Sequence, residues 1–322
     1  MHNTDKQYIR CIIYHNKTSV MHNLRSDFDK FFDLTKSVLK DRINSTGNFK
    51  FNSSKPKMAD YEIIALSLTS ESLGIDSEKY QWSKLKCDHT SDFPNLIDQC
   101  NFNRRRKKFH PYTEHLNQTV ANEMNLDEDV YLIDSIPVPI CKLVREKQVK
   151  ICKEQFETAP DKGYSAVNKT YYFGYKSHLI TSVRGIFHSM DLTKASVHDV
   201  HFLPQIKYTG LKNCTLIADK GYLLSEYQSD FFSSSRVKLQ TPTCSNQQNH
   251  LPFEPVYRRV RKRIETLFAQ LCDQFMLKRN YAKSVMGLSV RYLTKITGVT
   301  LLQYFNLQNN KPLNHLKYAL AS

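Results

Sequence analysis

No stretch of this 322-residue chain approaches the roughly 18 uninterrupted apolar residues that a membrane span requires. Mean hydropathy is −0.51. The opening segment, Met1 to Arg10, is polar and carries no apolar core of a signal peptide, so no secretory leader is expected. The eight cysteines run from Cys11 to Cys272 without a C-x-x-C pair, in a chain too long to need staples. They are expected to be reduced thiols of a cytoplasmic protein, with no zinc site among them. Internal repeats and low-complexity segments are also missing. What is present is ordinary: 40% hydrophobic and 24% charged residues, enough to bury a core and to exclude wholesale disorder. The length leaves room for two domains, or one large domain with an appendage.

The charge is not ordinary. Lysine and arginine exceed aspartate and glutamate by 46 − 31 = 15, and the pI is near 9.3. Such an excess usually answers a polyanion, although a basic ribosome-associated or merely soluble protein also carries it. The excess is uneven. Residues 1–127 hold 19 basic and 16 acidic side chains, whereas 128–322 hold 27 and 15. From Pro255 onward there are 12 basic residues against 2 acidic ones. An acid in that region needs a reason to be there.

The first third reads as helical. Leu24, Phe28, Phe31, Phe32, Val38 and Leu39 form an amphipathic stripe beginning near Ser26–Asp27 and ending before Gly47. A second helix opens around Asp60 with Ile63, Ile64 and Leu68. A third holds Trp82 and Leu85, a fourth runs from Pro94 through Phe102, and Tyr112, Leu116 and Val120 continue at helical spacing after Pro111. Short helices with brief polar breaks fit a helix-turn-helix module and equally any small bundle. Between them stand Arg104, Arg105, Arg106, Lys107 and Lys108, either a solvated face or loop, or a phosphate contact.

From Asp129 the pattern turns to strands. Val130–Ile133 ends at Asp134 and is followed by Pro137 and Pro139, which cannot continue a central strand. Tyr171–Ser182 and Gly185–Leu192 read as a hairpin. A helix over Asp199–Ile206, a strand over Cys214–Ala218, a helix over Leu223–Phe232 and a short strand over Val237–Gln240 follow. After a polar loop, a long helix over Tyr257–Phe275 leads into a helical tail. This order predicts an α/β domain with a mixed sheet.

Metal-assisted phosphodiester chemistry needs hard oxygen ligands clustered at one point. Asp134 and Asp219 each stand at the C-terminal edge of an apolar strand, where α/β sheets place ligand sites. Taken singly, either is as well explained as a turn or cap residue. Glu265 lies about 60° beyond Phe268 on its helix, beside Arg258 and Arg261. It is the only acid between Glu254 and Asp273. An i−4 pair with Arg261 accounts for it in part; cations beside metal-bound carboxylates also suit holding a phosphate backbone.

Four stretches carry a resemblance: Leu132–Cys141, Phe173–Leu179, Ala218–Tyr222 and Arg263–Thr266. In order and spacing they resemble the insertion-sequence 982 family of bacterial DDE transposases, over about residues 90–310. The acids are 219 − 134 = 85 and 265 − 219 = 46 residues apart. The resemblance implies an RNase H-like mixed-sheet catalytic domain over 126–310, after a helical, DNA-end-binding segment over 1–125 and before a tail over 311–322. It implies Asp134, Asp219 and Glu265 as catalytic, metal-holding residues with two Mg²⁺ ions, Mn²⁺ serving as a substitute. Around the third acid many related transposases carry Tyr, Arg and Lys at set distances. Here Arg261 fits, Tyr257 is one residue early, and Cys272 holds the lysine place.

The function so implied is cutting at the inverted-repeat ends of an insertion sequence and joining the 3′-OH ends to target DNA. The partner would be double-stranded DNA, bound by a homodimer or higher oligomer in the cytoplasm at the nucleoid. Two other classes share these features: an RNase H-like metal-dependent nuclease, and a catalytically silent DNA-binding protein. Lys176 and His178 share a strand face, which the resemblance places near the site, though a plain polar pair explains them as well. Asp199 reads first as a helix cap. Lys142, Arg145, Lys150 and Lys153 form a basic stripe suited to DNA, and Tyr171–Phe173 suits sheet packing.

Overall fold

The computed structural model describes residues 23–49, 55–223, 230, 232–242 and 255–320. Its first helix, α1 (Leu24–Leu39), starts where Asn23 accepts the Arg25 N–H, and buries Leu24, Phe28, Phe31 and Leu39 on one face. The sequence places that start two or three residues later. Helix α2 (Asp60–Ser72) is buried on nearly all sides, α3 (Glu78–Asp88) is capped by Ser77, and α4 (Gln99–Lys108) by Asp98. Phe109 closes α4 and opens α5 (His110–Met124), with Pro111 in the first turn where its missing N–H costs nothing.

Helix α4 corrects the expected fourth helix. It begins five residues after Pro94 and carries the whole basic run, so Arg104–Lys108 is helix and not loop. Four cations fill its last turn, the end that the helix dipole makes favourable for them.

Strand β1 (Val130–Cys141) is central. It pairs antiparallel with β3 (Thr170–Ser182) along nearly its whole length and parallel with β5 (Thr215–Ile217) over Val130–Leu132 only. This is longer than the strand expected from the sequence, and the reason is local. Past Leu132 no strand among the described residues pairs on the β5 side, so the donors that Pro137 and Pro139 lack are not needed for such a pairing. β3 also pairs with β2 (Asp161–Ser165) and β4 (Phe187–Lys194), and β5 pairs parallel with β6 (Lys238–Gln240). The order is β2–β3–β1–β5–β6, with β4 beside β3. The β3–β4 hairpin turns through Gly185 at φ +81°, as its sequence predicts. β2 has no counterpart in the sequence reading.

The two faces of this mixed sheet are covered differently. Leu132, Ile136, Val138, Tyr175 and Leu179 face α6 (Pro255–Asp273) and α7 (Val285–Gln308). Tyr131, Ile133 and Ile180 face Phe202, Leu203 and Ile206 of a 3-10 helix, Asp199–Thr209, together with Tyr222. Strand alternation sends successive β1 residues to opposite faces, so Asp134 shares the α6 face and Ser135 the other.

Helix α7 is buried over almost all of its length, the pattern of a helix enclosed by its neighbours. It packs on α2, α4 and α5 as well as on α6 and β4, and one apolar cluster runs from Leu24 to Leu320. Leu316, Ala319 and Leu320 of the tail belong to that cluster, and Lys30 donates to the Leu320 carbonyl at 2.5 Å. The helix expected over Leu223–Phe232 lies largely outside the described residues, as do positions 243–254 of the polar loop.

Candidate active site

Asp134 lies two positions past Leu132, the last β1 residue paired to β5, and Asp219 lies two positions past Ile217, the end of β5. Because β1 and β5 run parallel, both acids leave the sheet at the same end. Asp219 caps the short 3-10 turn Lys220–Tyr222 and accepts the Lys220 N–H at 2.6 Å. The turn-cap role expected for it is therefore real, and it leaves the carboxylate half-exposed. Asp134 accepts the Ser135 N–H at 2.8 Å, and its side chain is 18% exposed.

The two aspartates converge on one cation. Arg261 of α6 brings Nη1 to 3.2 Å from Asp219 Oδ1 and Nη2 to 3.5 Å from Asp134 Oδ2. Burial nonetheless pushes the Asp134 carboxyl up from 3.8 to about 6. The Ser135 N–H and Arg261 favour its charged form, while Asp219 and Asp199 add to the burial. Its negative charge is thus under-compensated by the groups around it.

On the opposite sheet face a second polar group backs the first. Asp199 accepts Ser135 Oγ at 3.1 Å and pairs with Lys176 Nζ at 2.9 Å. His198, not Asp199, is the cap of the 3-10 helix; Asp199 is its first residue. His178 is buried, not on a solvated face. It stacks on Phe202 with centroids 4.2 Å apart, and its Nδ1 meets Tyr222 Oη at 2.8 Å. Burial lowers the His178 pKa to about 4, so the ring is neutral at pH 7. Tyr222 is also fully buried; desolvation and the charges of Asp199 and Asp134 hold its phenol well above the usual value. The residue pattern alone does not single out Ser135 or Tyr222; the motifs Leu132–Cys141 and Ala218–Tyr222 that contain them are their nearest signals.

Glu265 stands apart from the aspartates. It is exposed on α6, one turn beyond Arg261. Residues four apart share a helix face and are separated by about 6 Å along the axis, so the face that turns Arg261 to the aspartates also carries Glu265. Among the described residues, no three His, Cys, Asp or Glu side chains are gathered as a metal-holding group. The pair Asp134–Asp219 still fits a divalent cation. Both are hard oxygen donors, both turn an oxygen to one positive group, and the more buried of them lacks charge compensation.

The predicted DNA contacts divide into two groups. Arg104, Lys107 and Lys108 are exposed on α4, as are Lys142, Arg145, Lys150 and Lys153 after β1, and Arg258 on α6. Arg105 is turned to the fully buried Asp60, and Arg106 to Glu78 at 2.5 Å. Lys176 is committed to Asp199, and Tyr172 and Phe173 are buried while Tyr171 is exposed beside Tyr164.

A mixed sheet that brings two strand-end aspartates together under a helix fits the RNase H-like arrangement, the class of metal-dependent nucleic-acid-processing domains. The family described as "Transposase DDE domain" matches residues 125–298, more than half of the chain, and the chain belongs to it. Transposition, a form of DNA recombination carried out by mobile elements, is the function of that family, and its members act on DNA and generally use divalent metal ions. No curated protein matches the chain. Among the described residues, no helix is long and apolar enough to cross a membrane.

Proposed function

We propose that the chain is the transposase of an insertion sequence of the 982 family. It cuts at the terminal inverted repeats of its element and joins the freed 3′-OH ends to target DNA, as a dimer or higher oligomer. The convergence of Asp134 and Asp219, 85 residues apart, on a single cationic group is the observation that supports this reading best. Two Mg²⁺ ions, when bound, would supply the positive charge that an in-line displacement at phosphorus requires on its attacking and leaving oxygens. Asp134 and Asp219 would hold them, with Glu265 brought in from the same face of α6.

The chain's own residues do the rest of the work. Ser135, Asp199 and Lys176 form a fixed polar chain behind Asp134 and restrict its backbone. Neutral His178 and Tyr222 fix the turn that carries Asp219 without adding charge to the site. Arg261, freed from the aspartates, would be placed to meet a phosphate of the bound strand. The helices over 1–125 would engage the element ends, and 126–310 would carry the chemistry.

The test is strand nicking of a duplex carrying the element's end, in Mg²⁺. Asp134→Asn, Asp219→Asn and Glu265→Gln should each abolish nicking while leaving DNA binding in place. An Asp134→Asn chain that still nicks would overturn the assignment.

A further inference from the structure

A groove of about 490 Å³ lies far from the aspartates in sequence, between α3, α4 and the start of α7. Its charged lining is Lys79, Arg106, Lys107, Lys283 and Arg291 against Glu78 alone, five cations to one acid. Two of the five are structural. Arg106 is held by Glu78, and Arg291 by Glu71 and by the Asp76 carbonyl at 2.7 Å. Each is compensated by its carboxylate, so the groove's uncompensated positive charge comes from the other three. Arg106 is 92% buried, and its Nε has no hydrogen-bond partner among the described residues. The other three, Lys79, Lys107 and Lys283, are exposed and come from three separate segments.

The fold makes one surface of stretches that the sequence keeps apart. Lys107 of α4 reaches the hydroxyl of Ser284, the cap of α7, at 3.5 Å. The Cys152 N–H donates to the Lys283 carbonyl at 3.0 Å, and Glu154 accepts the Val285 N–H at 3.2 Å. The basic insert after β1, with exposed Lys150 and Lys153, is therefore docked on the segment that carries Lys283. Thus Arg106 and Lys107 of the basic run line the groove, and the insert carrying Lys150 and Lys153 is hydrogen-bonded to the segment that forms its other wall.

We infer that this groove is a track for the sugar-phosphate backbone of double-stranded DNA, with Lys79, Lys107 and Lys283 on successive phosphates. The inference rests on the DNA-processing reading above and adds to it a binding surface that the aspartates do not line. A small free phosphate calls for donors converging on a point. Three exposed lysines from separate segments of one open groove, with no acid opposite them except the already paired Glu78, suit a continuous polyanion instead. Such contacts position the duplex and carry no sequence information.

The experiment is fluorescence-anisotropy binding of the full chain to labelled duplex DNA across a salt series, parent against Lys79→Gln/Lys107→Gln/Lys283→Gln. All three side chains are exposed, so the variant should unfold at the same temperature as the parent. Three lost phosphate contacts should weaken binding at least about tenfold on every duplex sequence and flatten the slope of log K against log salt by about 2.7. Unchanged affinity and slope would overturn the inference. So would a groove that takes inorganic phosphate: if millimolar orthophosphate raises the parent's melting temperature but not the variant's, while duplex affinity is equal in both, the site is for a small anion. The parent's own Mg²⁺-dependent nicking of element ends reads the proposed function separately. A parent that nicks with an unaltered variant sinks only the groove.

Discussion

Arg261 Nη1 stands 3.2 Å from Asp219 Oδ1 although 42 residues separate the two in sequence. The same guanidinium also reaches Asp134, so one planar cation spans two carboxylates that would otherwise repel each other across the end of the sheet. The position of that cation is where a divalent ion between the aspartates would have to sit. Arg261 and the metal therefore compete for the same oxygens.

Replacing Arg261 by Gln removes the competitor and leaves both carboxylates in place. Calorimetric titration of the DNA-free chain with Mn²⁺ should show binding tightened by about tenfold, equivalent to ~1.4 kcal/mol. Nicking should fall in the same variant, because the phosphate contact is lost. Mn²⁺ binding that is unchanged or weaker would show that the guanidinium does not contend with the ion.

Burial of Asp134 makes a second prediction, about pH. Its folded value of about 6 lies above the ordinary 3.8, so between these values the folded state binds more protons than the unfolded one. Stability must then fall as pH rises from about 4 to 6. Two units correspond to roughly 3 kcal/mol at most. In the presence of EDTA, Asp134→Asn should be more stable than the parent by about 1–3 kcal/mol at pH 7.5, with the gain gone below pH 4. Urea unfolding at the two pH values measures it; an equal gain at both would mean that ionisation of Asp134 is not the cause.

Much of this architecture was legible because it follows from short-range chemistry. The stripe of Leu24, Phe28 and Phe31, the strand leading into Asp134, the Gly185 hairpin and the helix bearing Arg261 all announce themselves through periodicity and turn residues. The extension of β1 through Pro137 and Pro139 did not, because a proline is tolerated wherever its edge is unpaired, and pairing is decided by distant β5. Likewise Arg104–Lys108 looks uniform in sequence. Only the approach of Asp60 and Glu78, from other helices, separates Arg105 and Arg106 from their exposed neighbours. The meeting of Asp134 with Asp219 could be supposed from their place after apolar strands. That Arg261 would lie between them, with Glu265 one turn further on, is a matter of how α6 docks, which spacing does not fix.

His178 offers a third test. Burial against Phe202 lowers its pKa to about 4, below the ordinary 6.5. The unfolded chain binds the proton first as pH falls, so this residue's contribution to stability is intact above pH 6.5 and is lost towards pH 4. The sign is opposite to that of Asp134. By NMR, the His178 ring signals should stay flat between pH 5.5 and 8. A His178 titration near 6.5 would mean that the ring is solvated and the Tyr222 contact broken.

The last prediction concerns the junction between the N-terminal helices and α7. Glu71 of α2 is 2% exposed and pairs with two buried cations of α7, Lys295 through Nζ and Arg291 through Nε at 3.4 Å. Lys295 also donates to the Phe275 carbonyl at 2.6 Å, which ties the segment just after α6 to the same point. Burial opposes the Glu71 charge, but Lys295, Arg291 and Arg106 outweigh it and hold its pKa below the ordinary value. A buried network of this kind adds little over a well-packed apolar one, yet breaking it leaves charges that neither water nor a partner can reach. Glu71→Gln keeps the shape and removes the charge, stranding two cations in the core. It should cost about 3–5 kcal/mol in urea unfolding. Adding Lys295→Met to it removes one of the stranded charges and should restore part of that loss. If the double variant is no more stable than Glu71→Gln alone, the penalty comes from packing and not from unpaired charge.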